Sequence, residues 1–507
     1  MNFVPKDALT EEEVDQGLRW VTKDGLASQA MVTLTGGVFL VGFALKLGAP
    51  NYVIGLLAAL PPLADLLQLP AILLVERVRN RKLISVFSAA LARSFWLLIA
   101  LIPFLFSAKL GLVALLIAVF VRYAIVSFVS VGWNSWMRDL VPQGKLGTFF
   151  SRRMTLTTAL ALPLSLGAAF YLDKWKLAFP ERELEGYSLL FALGFLAGII
   201  GVYFIYRTPE QRMEIKGEKE KFFSLLLEPF RDVNFRNLMA FSSSWSFAVS
   251  LAAPFFTVYM LKRLEFGMPF VILLSAISQL MHIVFLRVWG RLADRFNNKS
   301  VLAVCGPVFI LSILGWTFTT LPEEYSLTVP LLFLLHILMG ISMAGVNLTL
   351  GNIGFKLAPR EGATAYLATR NIMNSIAAGV GPILGGFAAD FFAGKELSML
   401  MRWTTPTRDV TFHTLSLQKW DFFFVLAFII GLYSIHRLAL VKEEGSVKKG
   451  ILVQELFSEL KRDMHSFSTI GGTRYINQLL PWHSMRNFVV NLKAVNDRRS
   501  NFDRESS

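Results

Sequence analysis

Three charged side chains stand inside long apolar runs, where a charge is costly unless it is paired or put to use. Asp65 precedes the charged pair Glu76 and Arg77, and Arg93 follows the basic pair Arg81 and Lys82. Counted along a helix, each lies roughly 15 Å from the polar end of its run, deep enough to sit near the middle of a bilayer. Two readings of these residues stand together. Asp65 and Arg93 tie two helices as a satisfied ion pair, or Asp65 titrates, with burial and Arg93 pulling its proton affinity in opposite directions, and couples protons to a change of shape. Arg122, in LLIAVFVRYAIVSF, is a fixed cation suited to an anionic ligand group or to a partner carboxylate. His336, in LLFLLHILMG, supplies either a proton carrier or a hydrogen-bonded packing residue, and His282 offers the same choice. Trp245 and Asn347 could give an aromatic wall and an amide to a ligand, or pack and hydrogen-bond between helices.

Other chemistries find no support. Cys305 is the only cysteine, which rules out an internal disulfide and a multi-cysteine metal site, and the six histidines show no metal-ligand spacing. No metal or cofactor is expected. The chain has no G-x-x-x-x-G-K-[ST], HExxH or G-x-S-x-G element, so an enzyme is not expected either. A net charge of +14 raises the question of nucleic acid. The basic residues, however, sit in short segments beside apolar runs, where an anionic leaflet explains them better.

The elements that must hold these residues are membrane helices. Hydrophobic residues make up 54% of the chain and charged ones 17%, with a mean hydropathy of +0.52. Twelve apolar stretches lie near 28–47, 52–75, 83–107, 110–136, 154–172, 187–206, 238–261, 267–289, 300–320, 329–354, 370–393 and 421–441. The fold class is therefore an all-α integral membrane protein. The segments are 1–27 as an N-terminal segment, 28–206 and 238–441 as two six-helix halves, 207–237 as a linker and 442–507 as a tail. In the linker Phe222, Phe223, Leu226, Leu227 and Phe230 predict a surface amphipathic helix, and Leu452, Leu456, Phe457 and Leu460 a short one in the tail. The acidic start MNFVPKDALTEEE has no signal-peptide pattern. Basic residues crowd alternate loops, which predicts both termini in the cytoplasm of a cell whose inner membrane holds the chain.

Sliding the chain by 217 residues sets Lys46 on Arg263, Asn80 on Asn297, Lys82 on Lys299, Pro142 on Pro359, Arg153 on Arg370 and Asp173 on Asp390. Six landmarks at one offset predict two parallel halves, an arrangement that secondary transporters use with the substrate between the halves.

The stretch GRLADRFNNK, residues 290–299, concentrates charge between two apolar runs. Gly290 would let helices approach, and Asp294 would accept from the free N–H groups of a neighbouring helix start. With Leu292, Ala293, Arg295 and Lys299, these residues resemble the signature loop of the major facilitator superfamily, G-x-L-A-D-R followed by basic residues. That resemblance implies a twelve-helix transporter and a cytoplasmic latch at Gly290, Asp294, Arg295 and Lys299. The first-half equivalent, LVERVRNRK, departs from it, with Leu73 for the glycine and Arg77 for the aspartate, and Glu76 one place early. Asp139, Arg153 and Arg370 are expected as further gate residues. AGVGPILGG resembles the family's glycine-proline helix motif, displaced to the eleventh span, and assigns Gly381, Pro382, Gly385 and Gly386 to packing and bending. In the family the first, fourth, seventh and tenth helices line the cavity, which favours Arg122, although the R-x-x-Q-G of its antiporters is reduced here to the arginine. The resulting expectation is a monomeric secondary transporter of a small molecule by alternating access, with proton coupling open. A transporter-like receptor or scaffold signalling through the tail is the rival.

Overall fold

Thr10 starts the first helix with a reciprocal cap. Its hydroxyl accepts from the Glu13 N–H at 3.3 Å, and the Glu13 carboxylate accepts from the Thr10 N–H at 3.1 Å, so donors left free at a helix start are satisfied. The helix therefore begins at Glu11, well ahead of the expected start near residue 28. Arg19, Lys23 and Asp24 lower the hydropathy of this stretch without interrupting the helix. It bends at Gly36 and Gly37, where Gly37 takes φ +54°, and runs on to Lys46.

The computed structural model describes residues 3–142, 146–213, 227–319, 326–359, 363–405, 408–418, 420–444 and 454–455. Among these, twelve helices are long and apolar enough to cross a bilayer: Glu11–Lys46, Asn51–Val78, Arg81–Leu105, Ala108–Leu140, Arg152–Ala178, Pro180–Arg207, Val233–Lys262, Met268–Arg295, Asn298–Phe318, Thr328–Leu357, Ala365–Phe392 and Trp420–Leu440. They are the first to twelfth spans below. Large apolar side chains such as Leu98, Phe104, Leu196 and Phe387 are exposed on them, as lipid-facing positions require. The even number of spans puts the start of the first and the end of the twelfth on one side, called the terminal side here; the opposite side is the far side. The amphipathic helix expected in the linker lies largely outside the described residues, as does most of the tail.

Each six-span half repeats the same local devices. Asn80 caps the third span by accepting from the Leu83 N–H at 2.8 Å, and Asn297 caps the ninth by accepting from the Ser300 N–H at 2.8 Å. A carboxylate from the end of the half adds a second cap. Glu210 accepts from the Arg81 and Lys82 N–H groups, and Glu443 from those of Asn298 and Lys299. The landmark asparagines thus hold equivalent helix starts, which accounts for their offset.

The second span is broken at mid-length. Pro61 and Pro62 lead into a 3₁₀ turn, Asp65–Leu67, before the helix resumes, because proline removes backbone donors and crowds the preceding turn. Between the eleventh and twelfth spans the structure adds an antiparallel hairpin, β1 (Glu396–Thr405) and β2 (Arg408–Gln418), on the far side. This is the one strand pair among the described residues, and it is an insertion on an otherwise helical molecule.

Candidate functional site

The first half holds a buried polar cluster that sequence reasoning paired wrongly. Arg93 does not meet Asp65. Its Nη2 donates to Asp24 at 3.2 Å and to Ser28 at 2.9 Å, and its Nη1 donates to the Gly198 carbonyl at 2.6 Å. This binds the third span to the first and sixth. Asp24 is buried, also accepts from Ser28, and lies near Arg153. It was missed because residues 11–27 read as a polar segment outside the membrane; only the length of the helix brings it inside.

Asp65 occupies the 3₁₀ turn instead, exposed, with a hydrogen bond from Gln68 at 2.9 Å. That turn packs against the fourth span of its own half and the eleventh span of the other. No described cation stands within ion-pair distance of Asp65.

Arg122 is the contrasting case. It is 6% exposed in the fourth span, and its Nε and Nη1 find no hydrogen-bond partner among the described residues. The guanidinium lies over the rings of Trp96, at 4.6 Å from the centroid, and Tyr123, at 4.8 Å. Cation–π contacts of this kind return about 2 kcal/mol each when desolvated, while an effective burial penalty for an ion runs to several kcal/mol, and two guanidinium nitrogens still lack an acceptor. The balance leaves room for an anion. Arg93 adds to the positive potential here, although Asp24 offsets its own charge.

The other candidates are not gathered around Arg122. His336 is buried in the second half, with Nδ1 2.8 Å from the Leu332 carbonyl and its ring edge-on to Trp316 at 5.5 Å. Trp245 packs against Phe241 and Phe309 in the same half. His282 is half-buried on the eighth span, and Asn347 is exposed on the tenth.

The residues expected at the gate sit on the terminal side, and several of them are engaged within their own half. Arg81, fully buried, bonds Asp139, Glu210 and the carbonyls of Ser135 and Gln211; reading it only as loop charge missed this hub. Asp139 also accepts from Arg138. Arg153 lies over Trp133 and against Gly25, and Arg370 donates to the Leu350 carbonyl at 2.9 Å. Glu76 and Arg77 are exposed at the end of the second span, which closes at Arg79 with φ 54°.

The signature stretch needs a correction. It is not a free turn, because the eighth span stays helical through Arg295. Asp294 is exposed, and the N–H groups it was expected to cap are held by Asn297 and Glu443. A Cβ on Gly290 would only meet Leu348 at 3.8 Å, so no close approach depends on this glycine in the present conformation. Arg295 pairs with Glu455 of the tail, and Lys299 donates to the Ala439 carbonyl at 3.1 Å. In the eleventh span Gly381 and Gly385 face the backbone of the seventh span, while Gly386 and the Pro382 carbonyl face the second.

The sequence profile of the Major Facilitator Superfamily matches residues 25–382. No curated protein sequence matches the chain significantly. Among solved structures, the nucleoside transporter NupG superposes with a TM-score of 0.59 at 13% identity, covering 85% of this chain and 100% of that one. A D-xylose-proton symporter gives 0.58 at 13%, covering 86% and 100%. A bacterial homologue of the iron transporter ferroportin, in an inward-facing state, gives 0.57 at 12%, again covering 86% and 100%.

Proposed function

The chain belongs to the major facilitator superfamily and is a multi-pass secondary transporter, and on that premise we propose that its substrate is a small anionic molecule held by Arg122. The observation that carries this is the buried guanidinium of Arg122 with two nitrogens lacking partners. A carboxylate or phosphate of the substrate supplies the charge-assisted acceptors those nitrogens lack. The aromatic faces of Trp96 and Tyr123 keep the cation in place when the substrate has left.

Proton coupling is a second reading, favoured by Asp65. This carboxylate sits at a helix break, touches elements of both halves and has no described cation beside it. Asp24 fits the role less well, since it is already engaged by Arg93 and Ser28. The terminal side is assigned to the cytoplasm because Arg77, Arg79, Arg81 and Lys82 and their second-half counterparts lie there. The chain is taken to work as a monomer.

One experiment tests the reading: thermal shift of purified protein with matched sets of carboxylates, phosphates and their neutral analogues, at two pH values. Anionic compounds are expected to stabilise the natural protein and to lose that effect in Arg122→Gln. Stabilisation by neutral compounds alone, or an equal shift in the variant, would overturn it. Loss of the pH dependence in Asp65→Asn, with binding retained, is the outcome expected of the coupling site.

A further inference from the structure

On the far side the halves meet along two seams, the second span against the eleventh and the fifth against the eighth. The 217-residue repeat makes the two seams counterparts of each other. The first is bonded. Asp390 accepts from the Asn51 N–H at 3.2 Å, the Asn51 Nδ2 at 2.8 Å and the Tyr52 N–H at 2.9 Å, at a helix start whose dipole also favours a carboxylate. Deeper in the membrane the backbones touch. A Cβ on Gly55 would lie 2.2 Å from the Pro382 carbonyl oxygen, and one on Gly386 would lie 2.6 Å from that of Asn51. Gly379 likewise leaves room for Leu63.

The counterpart seam lacks these devices. Asp173 answers to Asp390, and its Oδ2 comes within 3.5 Å of where a Gly267 Cβ would stand, beside the start of the eighth span. Where the second span has Asn51 and Tyr52, the eighth has Met268 and Pro269. The side-chain amide is gone, and proline has no N–H to donate. Among the described residues Asp173 accepts no hydrogen bond. The glycines are also replaced, with Ile272 at the position of Gly55, Leu162 at that of Gly379 and the small Ala169 at that of Gly386. A cavity of about 470 Å³ lies over this seam, lined from both halves by Lys46, Asp173, Lys176, Lys262 and Met268.

We propose that the far side opens asymmetrically: the fifth and eighth spans part to pass the substrate through this cavity, while the second and eleventh stay joined as the axis on which the halves turn. The Asp390 contacts and the glycine seam hold the axis. The missing donors at Met268 and Pro269 make the other seam the weaker one.

The test is pulsed dipolar spectroscopy on Cys305→Ala protein in nanodiscs, with spin labels at Lys176 and Glu265 across the fifth–eighth seam, or at Tyr52 and Phe391 across the second–eleventh seam. A second, longer distance is expected for the first pair, and a single distance for the other. A single distance at 176 and 265, or a second distance of equal weight at 52 and 391, overturns the proposal. Installing the missing donors by Met268→Asn with Pro269→Tyr is expected to shrink the long-distance fraction by roughly tenfold per charge-assisted hydrogen bond regained. No change in that fraction overturns the donor argument. Asp390→Asn, which keeps the shape of the side chain, is the complementary variant and should introduce a long distance at 52 and 391; an unaltered distribution there counts against the axis.

Discussion

What separates the buried arginines is how many of their donors are used. Arg81 and Arg93 spend theirs on carboxylates and carbonyls from several helices, so each is a structural hub, whereas Arg122 keeps two nitrogens without partners. The Arg93 hub makes a clear prediction. Removing one member of a buried pair strands the other, so Asp24→Asn should cost about 3–5 kcal/mol, read as a large fall in thermal stability. Adding Arg93→Met should recover much of that loss, because no charge is then left stranded. A single variant as stable as the natural protein would mean that the pair is not dry. At this scale the sequence revealed which spans carry charge and concealed which charges meet. Arg93 and Arg122 could be picked out as charges in apolar runs, but the partner of Arg93 lay in a segment whose own charges disguised it as a polar tail.

Helix starts show the same limit among the elements. Asn80 and Asn297 were visible as counterparts because both lie at the 217-residue offset and both are caps. Glu210 and Glu443 do the matching second task without sharing that offset, since the β1–β2 hairpin lengthens the second half ahead of its last span. The hairpin itself is passed over although its second strand alternates, with Val410, Phe412, Leu415 and Leu417 set among polar residues, because a segment between two spans reads as a loop. Glu443 offers a test. Burial raises its proton affinity, but hydrogen bonds from the Lys299 N–H and Asn298 and the Lys356 ammonium outweigh that and hold the carboxyl below its ordinary value of 4.5. A lowered carboxylate stabilises the fold fully above its unfolded value, and that contribution disappears as pH falls through the folded value. Glu443→Gln should therefore cost about 1–3 kcal/mol at neutral pH and should flatten the acid limb of stability below pH 4.5. Thermal unfolding across that range would show it, and parallel acid limbs in both proteins would remove Glu443 from the account.

For the whole molecule, the decisive contrast is between its two sides. Four hydrogen bonds join the halves on the far side among the described residues, three to Asp390 and one from Lys262 to the Ala49 carbonyl. On the terminal side Arg81, Asp139, Arg370 and Lys299 are instead engaged inside their own halves, and past the 3₁₀ turn the second span packs on the fourth. This is the arrangement of a carrier whose terminal side is the open one. Asp294 is exposed in it, and the latch expected of the signature aspartate therefore calls for its contact in the alternate state, in which the terminal side closes. Asp294→Asn should then leave thermal stability unchanged while shifting the population further toward the present conformation. A cysteine at Asn347, exposed on the tenth span and roughly 15 Å from its terminal end, would report the shift in Cys305→Ala protein. Its labelling by a soluble maleimide should rise by roughly two- to fivefold, the range of a single charge–dipole contact. If the rate does not change while a cysteine in place of Lys176 on the far side becomes more reactive, the aspartate closes the opposite side from the one its position implies.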